Sequence, residues 1–343
     1  MGELKNVNIL IDAFGGDNAP LEVIRGSAQA VKELGVAMTL VGDSDKIRDC
    51  AAKNNISLDG MELLHASAVF DIHEEPTTLL KQHADSSMAV GMQALHDGKG
   101  DAFVCAGSTG ALLVGATFLV KRIPGIKRAA AAPVLPTEKT PFILIDGGAN
   151  NDCRPEMLVQ FAIMGSAYMQ NVMGVENPRV ALLNVGAEET KGRELELESY
   201  VQLAQAPVNF IGNIEARELP AGAADVVVTD GFTGNVTLKL YEGMGKFMAH
   251  QMKGNLFAGF TGKLAALLIL PKIKALTKKM DYKAVGGAVM LGVQKPVIKA
   301  HGSSDAVAFF NAIRQARDCV AGNVVQSITE TVSAMRSEKI GGK

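Results

Sequence analysis

The chain has 343 residues, 48% of them hydrophobic, and its 34 Lys and Arg against 36 Asp and Glu give a formal charge of −2. That length and apolar content support a sizeable core, and the near-balance of charge excludes a generally polycationic nucleic-acid binder while leaving a local basic face open. Four scattered cysteines, Cys50, Cys105, Cys153 and Cys319, make neither a CxxC metal site nor a disulfide scaffold, so reduced thiols in the cytoplasm are expected.

The amino terminus, MGELKNVNIL, lacks the long apolar run of a secretory signal, and Asn6 stands where a myristoylation motif prefers Ser or Thr. From there, β-rich runs alternate with helical spacing. Strands are expected at Val7–Asp12, Met38–Val41, Met61–His65, Ala102–Ala106, Phe142–Asp146, Val180–Val185 and Asp225–Asp230. Helices are expected at Ser86–His96, Ala111–Lys121, Pro155–Met169 and Glu189–Leu203. The rhythm predicts βαβ units in an α/β fold, with a Rossmann-like, mostly parallel sheet covered by helices on both faces. No repeat or linker divides the chain, so residues 1–343 read as a single α/β domain.

Four strands end in Gly-rich turns: AFGGDNAP, AGSTGA, DGGAN and DGFTGN. Strand carboxyl ends in an open parallel sheet face the ligand crevice, so these turns are expected to converge on one site. The first carries Asp12, Gly15, Gly16 and Asp17. In the second, Ser108 and Thr109 precede a helix start that suits a phosphate or carboxylate, or serve as a simple N-cap. The third carries Asn150. In the fourth, Gly231, Thr233, Gly234 and Asn235 lead into a helix expected over Val236–Met248. None of the four is GxGxxG or a P-loop.

In NVGAEETKG, Lys191 is either an electrophile for a phosphate and a developing thioester oxyanion, or a solvated lysine paired with Glu188 or Glu189. AHGSSDA precedes a helix beginning near Asp305. Capping by Ser303 or Ser304, with anion binding by His301, fits better than a nucleophilic triad among such close neighbours. No HExxH motif or Cys/His cluster appears, so no metal is implied.

Residues 251–280 depart from the α/β pattern. Leu256 to Met280 reads LFAGFTGKLAALLILPKIKALTKKM, with Leu267 and Leu268 on an apolar stripe and Lys263, Lys272, Lys274 and Lys278 on a basic side. The apolar run Leu264–Leu270 is far short of the roughly 20 residues that cross a bilayer, and Pro271 divides the segment into two short amphipathic helices. It suits an interfacial membrane contact, a docking surface for an acidic partner, or an ordinary helical hairpin.

Seven blocks in order, IDAFGGDNAP, AGSTGALL, IDGGANNDCRPEMLVQFAIMGSAY, LLNVGAEETKG, NFIGNIEAREL, DVVVTDGFTGNVTLKLYEGMG and IKAHGSSDA, resemble the phosphate acyltransferases of bacterial phospholipid synthesis, the PlsX family. The chain departs from that pattern at Phe14, Ser108 and Gly147, where the family usually has Met, Asn and Val. The resemblance implies a fold similar to isopropylmalate dehydrogenases and phosphotransacetylases. It also implies a homodimer that moves a long-chain acyl group from acyl carrier protein to inorganic phosphate without a cofactor, in the cytoplasm or peripherally on the membrane. In that reaction Lys191 supplies electrostatic stabilisation. Asn235 and the backbone N–H groups of Gly231–Gly234 hold phosphate or the oxyanion, and Asp12, Gly15, Gly16, Asp17, Ser108, Thr109, Asn150, Thr233, His301 and Ser304 surround the substrate. The rivals are a phosphotransacetylase using a coenzyme A thioester, a dehydrogenase, and a non-catalytic lipid or carrier-protein binding module.

Overall fold

A computed structural model describes residues 7–251 and 286–341; the segment Leu256–Met280, with Lys263, Leu267, Leu268, Lys272, Lys274 and Lys278, lies outside the described residues. In chain order the elements are β1 (Asn8–Asp12), α1 (Leu21–Leu34), β2 (Ala37–Gly42), α2 (Ser44–Lys53), β3 (Met61–His65), α3 (Ser87–His96), β4 (Ala102–Cys105) and α4 (Thr109–Gly115). They continue with β5 (Ala130–Leu135), β6 (Phe142–Ile145), α5 (Pro155–Asn171), β7 (Arg179–Asn184), α6 (Glu194–Leu203), β8 (Asn209–Glu215), β9 (Val226–Val228) and α7 (Gly231–Gln251). The last four are β10 (Ala288–Leu291), β11 (Val297–Lys299), α8 (Ala306–Ala321) and α9 (Val324–Gly341).

The strands form one 11-stranded sheet in the order β3-β2-β1-β4-β11-β10-β5-β6-β9-β7-β8. The runs AFVC, FILI and VVV are buried throughout, as expected for strands covered on both faces. Alternate residues divide the core. Ile9, Ile11, Val104, Ile143, Ile145, Val226 and Val228 pack on one face of the whole sheet. On the other face, Leu10, Phe103 and Cys105 belong to a cluster with Met88, Met92 and Leu112, whereas Phe142, Leu144 and Val227 belong to a separate one with Leu238 and Tyr241. α3 and α4 therefore cover one half of that face and α7 the other.

The sheet is mostly parallel, as the alternation predicts, but not uniformly so. β10 runs antiparallel to both β11 and β5, and β5 runs antiparallel to β6. The β6–β9–β7 half therefore points opposite to the β1–β4 half, and the four Gly-rich turns do not leave one common edge. Strands β5, β8, β10 and β11 are additional to those expected. AAAPVL has three alanines and a proline, which give little β signal, and β10 and β11 have only four and three residues. Helix α6 starts at Glu194 rather than Glu189, with Arg193 at its cap. Helix α4 passes into a π-helical turn, Ala116–Lys121, before the expected end. No helix among the described residues is long and apolar enough to cross a membrane.

One helix crossing is set by glycine. A Cβ on Gly26 of α1 would lie 2.6 Å from the Ala306 carbonyl oxygen and 2.7 Å from Cβ of Phe309 on α8. Gly26→Ala is expected to destabilise the protein by about 1–3 kcal/mol through overpacking, read as a lower midpoint in urea unfolding with an unchanged slope.

Candidate active site

The β1, β4 and β11 ends form one wall, lining a cleft of about 620 Å³. Asp12 is buried at the end of β1; its carboxylate accepts from Phe14 N at 3.1 Å and from the Cys105 thiol at 3.0 Å. Gly107 N in turn donates to Cys105 Sγ at 3.1 Å. Burial, followed by the Asp12 charge, pushes the Cys105 thiol well above its ordinary range. The first turn needs its glycines: a Cβ on Gly15 would lie 2.7 Å from the Asp12 carboxylate and 2.9 Å from Gly107 N, and Gly16 has φ +104°. Asp17 N donates to Gly302 O at 2.8 Å, which fastens the first turn to the AHGSSDA loop.

Ser108 is the N-cap of α4, its Oγ accepting from Ala111 N at 3.4 Å, and Thr109 is exposed beside it. Of the expected caps on α8, neither serine acts: Asp305 does, accepting from Ala308 N at 2.9 Å. An aspartate directly before the first helical residue outcompetes serines further upstream. Ser304 is instead buried, its carbonyl accepting from Asn18 Nδ2 at 3.1 Å, so it joins the loop to the first turn. His301 Nδ1 accepts from Ser303 N at 3.2 Å and lies 3.0 Å from Ser303 Oγ. Burial, with Lys299, Lys239 and Lys246 against Glu242, lowers its pKa below 6.5 and favours the neutral ring.

The second wall is built on Asp146, buried at the end of β6. Its two oxygens accept from Ala131 N, Gly148 N, Ala149 N, Asn150 N and Asn150 Nδ2 at 2.7–3.2 Å. Burial pushes this carboxyl up, against those donors. The Asn150 amide also donates to Ala129 O at 2.8 Å, so its N–H₂ shapes the turn and leaves no donor for a ligand. Gly231 follows closely, its N donating to Asn150 O at 2.7 Å.

Helix α7 begins at Gly231, five residues before the expected start, because Asp230 caps it: Oδ1 accepts from Thr233 N at 2.7 Å and Oδ2 from Thr233 Oγ1 at 3.1 Å. Gly234 N donates to Asp230 O at 2.9 Å. Three of the four backbone donors expected to face an anion, those of Gly231, Thr233 and Gly234, are thus engaged within the fold, and Phe232 N has no partner among the described residues. Asn235 is exposed, and its amide makes no hydrogen bond among the described residues. Gly148, with φ +128°, leaves room for it: a Cβ there would lie 3.1 Å from Asn235 Cβ.

Lys191 is exposed on the loop after β7 and forms no ion pair among the described residues; Glu189 accepts instead from the Tyr200 hydroxyl at 2.9 Å. Sequence reading passed over Arg193, whose guanidinium bonds Glu196 and also ion-pairs with Asp230. This bridge ties the Lys191 loop to the first turn of α7. An arginine two residues past a strand-end loop carries no sequence signal that distinguishes it from a solvated one.

The two walls share one face of the sheet. Lys299 is in register with Ala288, and Ala288 with Pro133, while Asp146 neighbours Ala131. Three interstrand spacings, about 14 Å across the sheet, and two further residues along β5 therefore separate Lys299 from Asp146. Helix α7 runs from one wall towards the other, with Asn235 in its first turns and the Lys239 charge felt at both Lys299 and His301. On that face the candidate residues form two groups: Asp12, Gly15, Gly16, Asp17, Ser108 and Thr109 line the cleft at the β1 and β4 ends, and Asn150, Gly231, Thr233, Gly234 and Asn235 stand at the β6 and β9 ends with the Lys191 loop beside them.

In architecture this is an α/β protein of the phosphotransacetylase type. A phosphotransacetylase from Staphylococcus aureus aligns with a TM-score of 0.60 at 18% identity, covering 94% of this chain and 95% of that one. A 4-hydroxythreonine-4-phosphate dehydrogenase from Klebsiella pneumoniae aligns with a TM-score of 0.52 at 14% identity, covering 93% and 99%. In sequence, the profile of the family described as "Fatty acid synthesis protein" matches residues 7–327. The phosphate acyltransferase of Bacillus cereus is 45% identical over 336 residues, 97% of this chain and 100% of that protein. That of Thermoanaerobacter pseudethanolicus is 44% identical over 333 residues, covering 97% and 99%. The chain belongs to this fatty acid synthesis protein family, and the resemblance read from its seven blocks is borne out.

Proposed function

We propose that this chain transfers a long-chain acyl group from acyl carrier protein to inorganic phosphate, giving acyl phosphate and free carrier protein. Family membership supports the reaction class. The Arg193–Asp230 bridge is the observation that carries the site, because it holds the Lys191 loop against the helix start bearing Asn235. A phosphate oxygen attacks the thioester carbonyl carbon, and collapse of the tetrahedral intermediate breaks the C–S bond. Phosphate is already an anion near neutral pH, so the protein's task is to hold it close and meet the developing oxyanion. Lys191 supplies a cation and Asn235 an amide donor, with Phe232 N beside them as the backbone donor of the turn that has no partner among the described residues.

Donor choice separates this reading from one using coenzyme A, which the fold likeness to phosphotransacetylases favours. Phosphate-dependent release of free thiol is expected from palmitoyl carrier protein and much less from palmitoyl-coenzyme A. The reverse preference would replace the carrier protein as partner.

Two further contacts belong to the proposal. Exposed Phe232, Val236, Leu240 and Met244, spaced by four residues on α7, support a homodimer; light scattering is expected to give twice the chain mass. Residues 251–280, from their sequence, bring the enzyme to the inner face of the membrane. Leu267→Glu with Leu268→Glu is expected to reduce co-sedimentation with anionic vesicles at least several-fold, since two apolar side chains contribute roughly 3 kcal/mol or more. Unchanged sedimentation would leave these residues to carrier-protein docking.

A further inference from the structure

Lys299, which lines the cleft at the β1 and β4 ends, has its ammonium bound to the Ala106 and Ala300 carbonyls. A different set of cations adjoins the sheet edge that carries Asp146, Asn150 and Asp230. The segment Lys121–Arg128 leads into β5, and its far end is fixed to that edge: Asn150 Nδ2 donates to Ala129 O at 2.8 Å and Ala131 N to Asp146 Oδ1 at 3.2 Å. Arg128 is three residues, at most about 11 Å of chain, from the Ala131 that bonds Asp146. Gln160 of α5 braces the segment, accepting from Lys127 N at 2.8 Å and donating to Gly125 O at 2.9 Å, while Lys127 pairs with Glu156 at 2.5 Å. The Arg122 guanidinium reaches back to the Ile126 and Lys127 carbonyls.

What this bracing presents is basic. Lys121, Arg122, Arg128 and Arg336 are exposed and form no ion pair among the described residues. Arg336, from α9, lies over Gly125, where a Cβ would come 3.0 Å from its Nη1. Lys121 closes the π-helical turn at φ +72°, a conformation that glycine takes without strain, so a cation stands here against the backbone's preference. Phe118, 62% exposed, lines a hollow of about 350 Å³ together with Lys121, Arg122 and Pro124. An exposed aromatic ring among unpaired cations has the makeup of a protein-docking surface, an apolar anchor with a charged rim.

We propose that this surface seats the acidic body of the acyl carrier protein, so that its thioester-bearing arm reaches Lys191 and Asn235 from the β5 side. The inference rests on the acyl-transfer reading above. Charge selects the occupant. A second copy related by a two-fold axis would set these cations against themselves, and anionic lipid would meet the charge but bring no thioester to the edge this surface adjoins. Exposed rim charges act on encounter and register, so their effect falls on the KM for the carrier and weakens with salt.

The test is acyl-phosphate formation by the full chain, with palmitoyl carrier protein varied at saturating phosphate. Lys121→Glu with Arg128→Glu is expected to raise the KM for the carrier about tenfold or more, with kcat, the KM for phosphate and the unfolding midpoint retained. Phe118→Ser, at a solvated position, is expected to raise the same KM about fivefold. The wild-type KM is expected to climb with ionic strength and that of the charge-reversed protein to change little. Palmitoyl-pantetheine, the same thioester without the protein body, is expected to react more slowly but equally with wild type and variant. An unchanged KM for the carrier in both variants, or equal losses with carrier and with palmitoyl-pantetheine, would overturn the docking surface. So would a halved mass in light scattering, which would make it an interface between copies, or lost co-sedimentation with anionic vesicles at an unchanged KM for the carrier, which would give it to lipid. A wild type that forms no acyl phosphate from the carrier would instead defeat the underlying reading, and this one with it.

Discussion

Replacing Lys191 with alanine is expected to lower acyl-phosphate formation about a hundred- to a thousandfold and to leave the unfolding midpoint where it is. The loop's shape depends on backbone atoms that alanine keeps: Lys191 N donates to Glu188 O at 3.1 Å, and its carbonyl accepts from Asn184 Nδ2 at 3.0 Å. The ammonium itself is exposed and makes no ion pair among the described residues, so the fold loses little with it. The stem lies over Gly186, where a Cβ would come within 3.0 Å of Lys191 Cγ. Loss of rate with stability retained assigns the ammonium to the reaction. An unchanged rate would remove Lys191 from the mechanism.

Gly234→Ala is expected to have the largest effect on stability, about 3 kcal/mol or more. The added methyl would fall on the Asp146 carbonyl oxygen, with Thr229 Cγ2 at 3.0 Å behind it. The closer neighbour is backbone of Asp146, whose carboxylate is fixed by five hydrogen bonds, and the methyl behind it is held on a short β-branched side chain whose backbone pairs with Ile145. The start of α7 must then move away from β6, taking Asn235 with it. Urea unfolding is expected to show the lowered midpoint, and activity to fall in parallel with stability, a pattern opposite to that of Lys191→Ala. A wild-type midpoint would show that α7 can shift freely, and would weaken the geometry drawn for Asn235.

Much of the sheet was legible because its strands are continuous apolar runs between Gly-rich turns, as in FILIDGGAN. The reversal of the β6–β9–β7 half was not legible. It depends on β5 and β10, whose short and alanine-rich sequences carry little β signal, and on pairings between segments more than a hundred residues apart. Glycine positions pointed correctly to close backbone approach at Gly15 and Gly231, but could not show which N–H groups remain free. The donors of Thr233 and Gly234 look available in sequence and are engaged by Asp230 in the fold. Lys299 and Arg193 were missed for one reason: a lysine or arginine next to a loop is ordinarily solvated, and only the tertiary structure shows one lining a cleft and the other tying two strand ends together.

The most direct measurement incubates wild-type protein with long-chain acyl carrier protein and ¹⁸O-labelled inorganic phosphate, traps the product with hydroxylamine, and follows the label. Phosphate-dependent acyl hydroxamate, with label in the acyl phosphate's bridging oxygen before trapping, is the expected result. No phosphate-dependent hydroxamate, or turnover only with a nicotinamide nucleotide, would contradict the account.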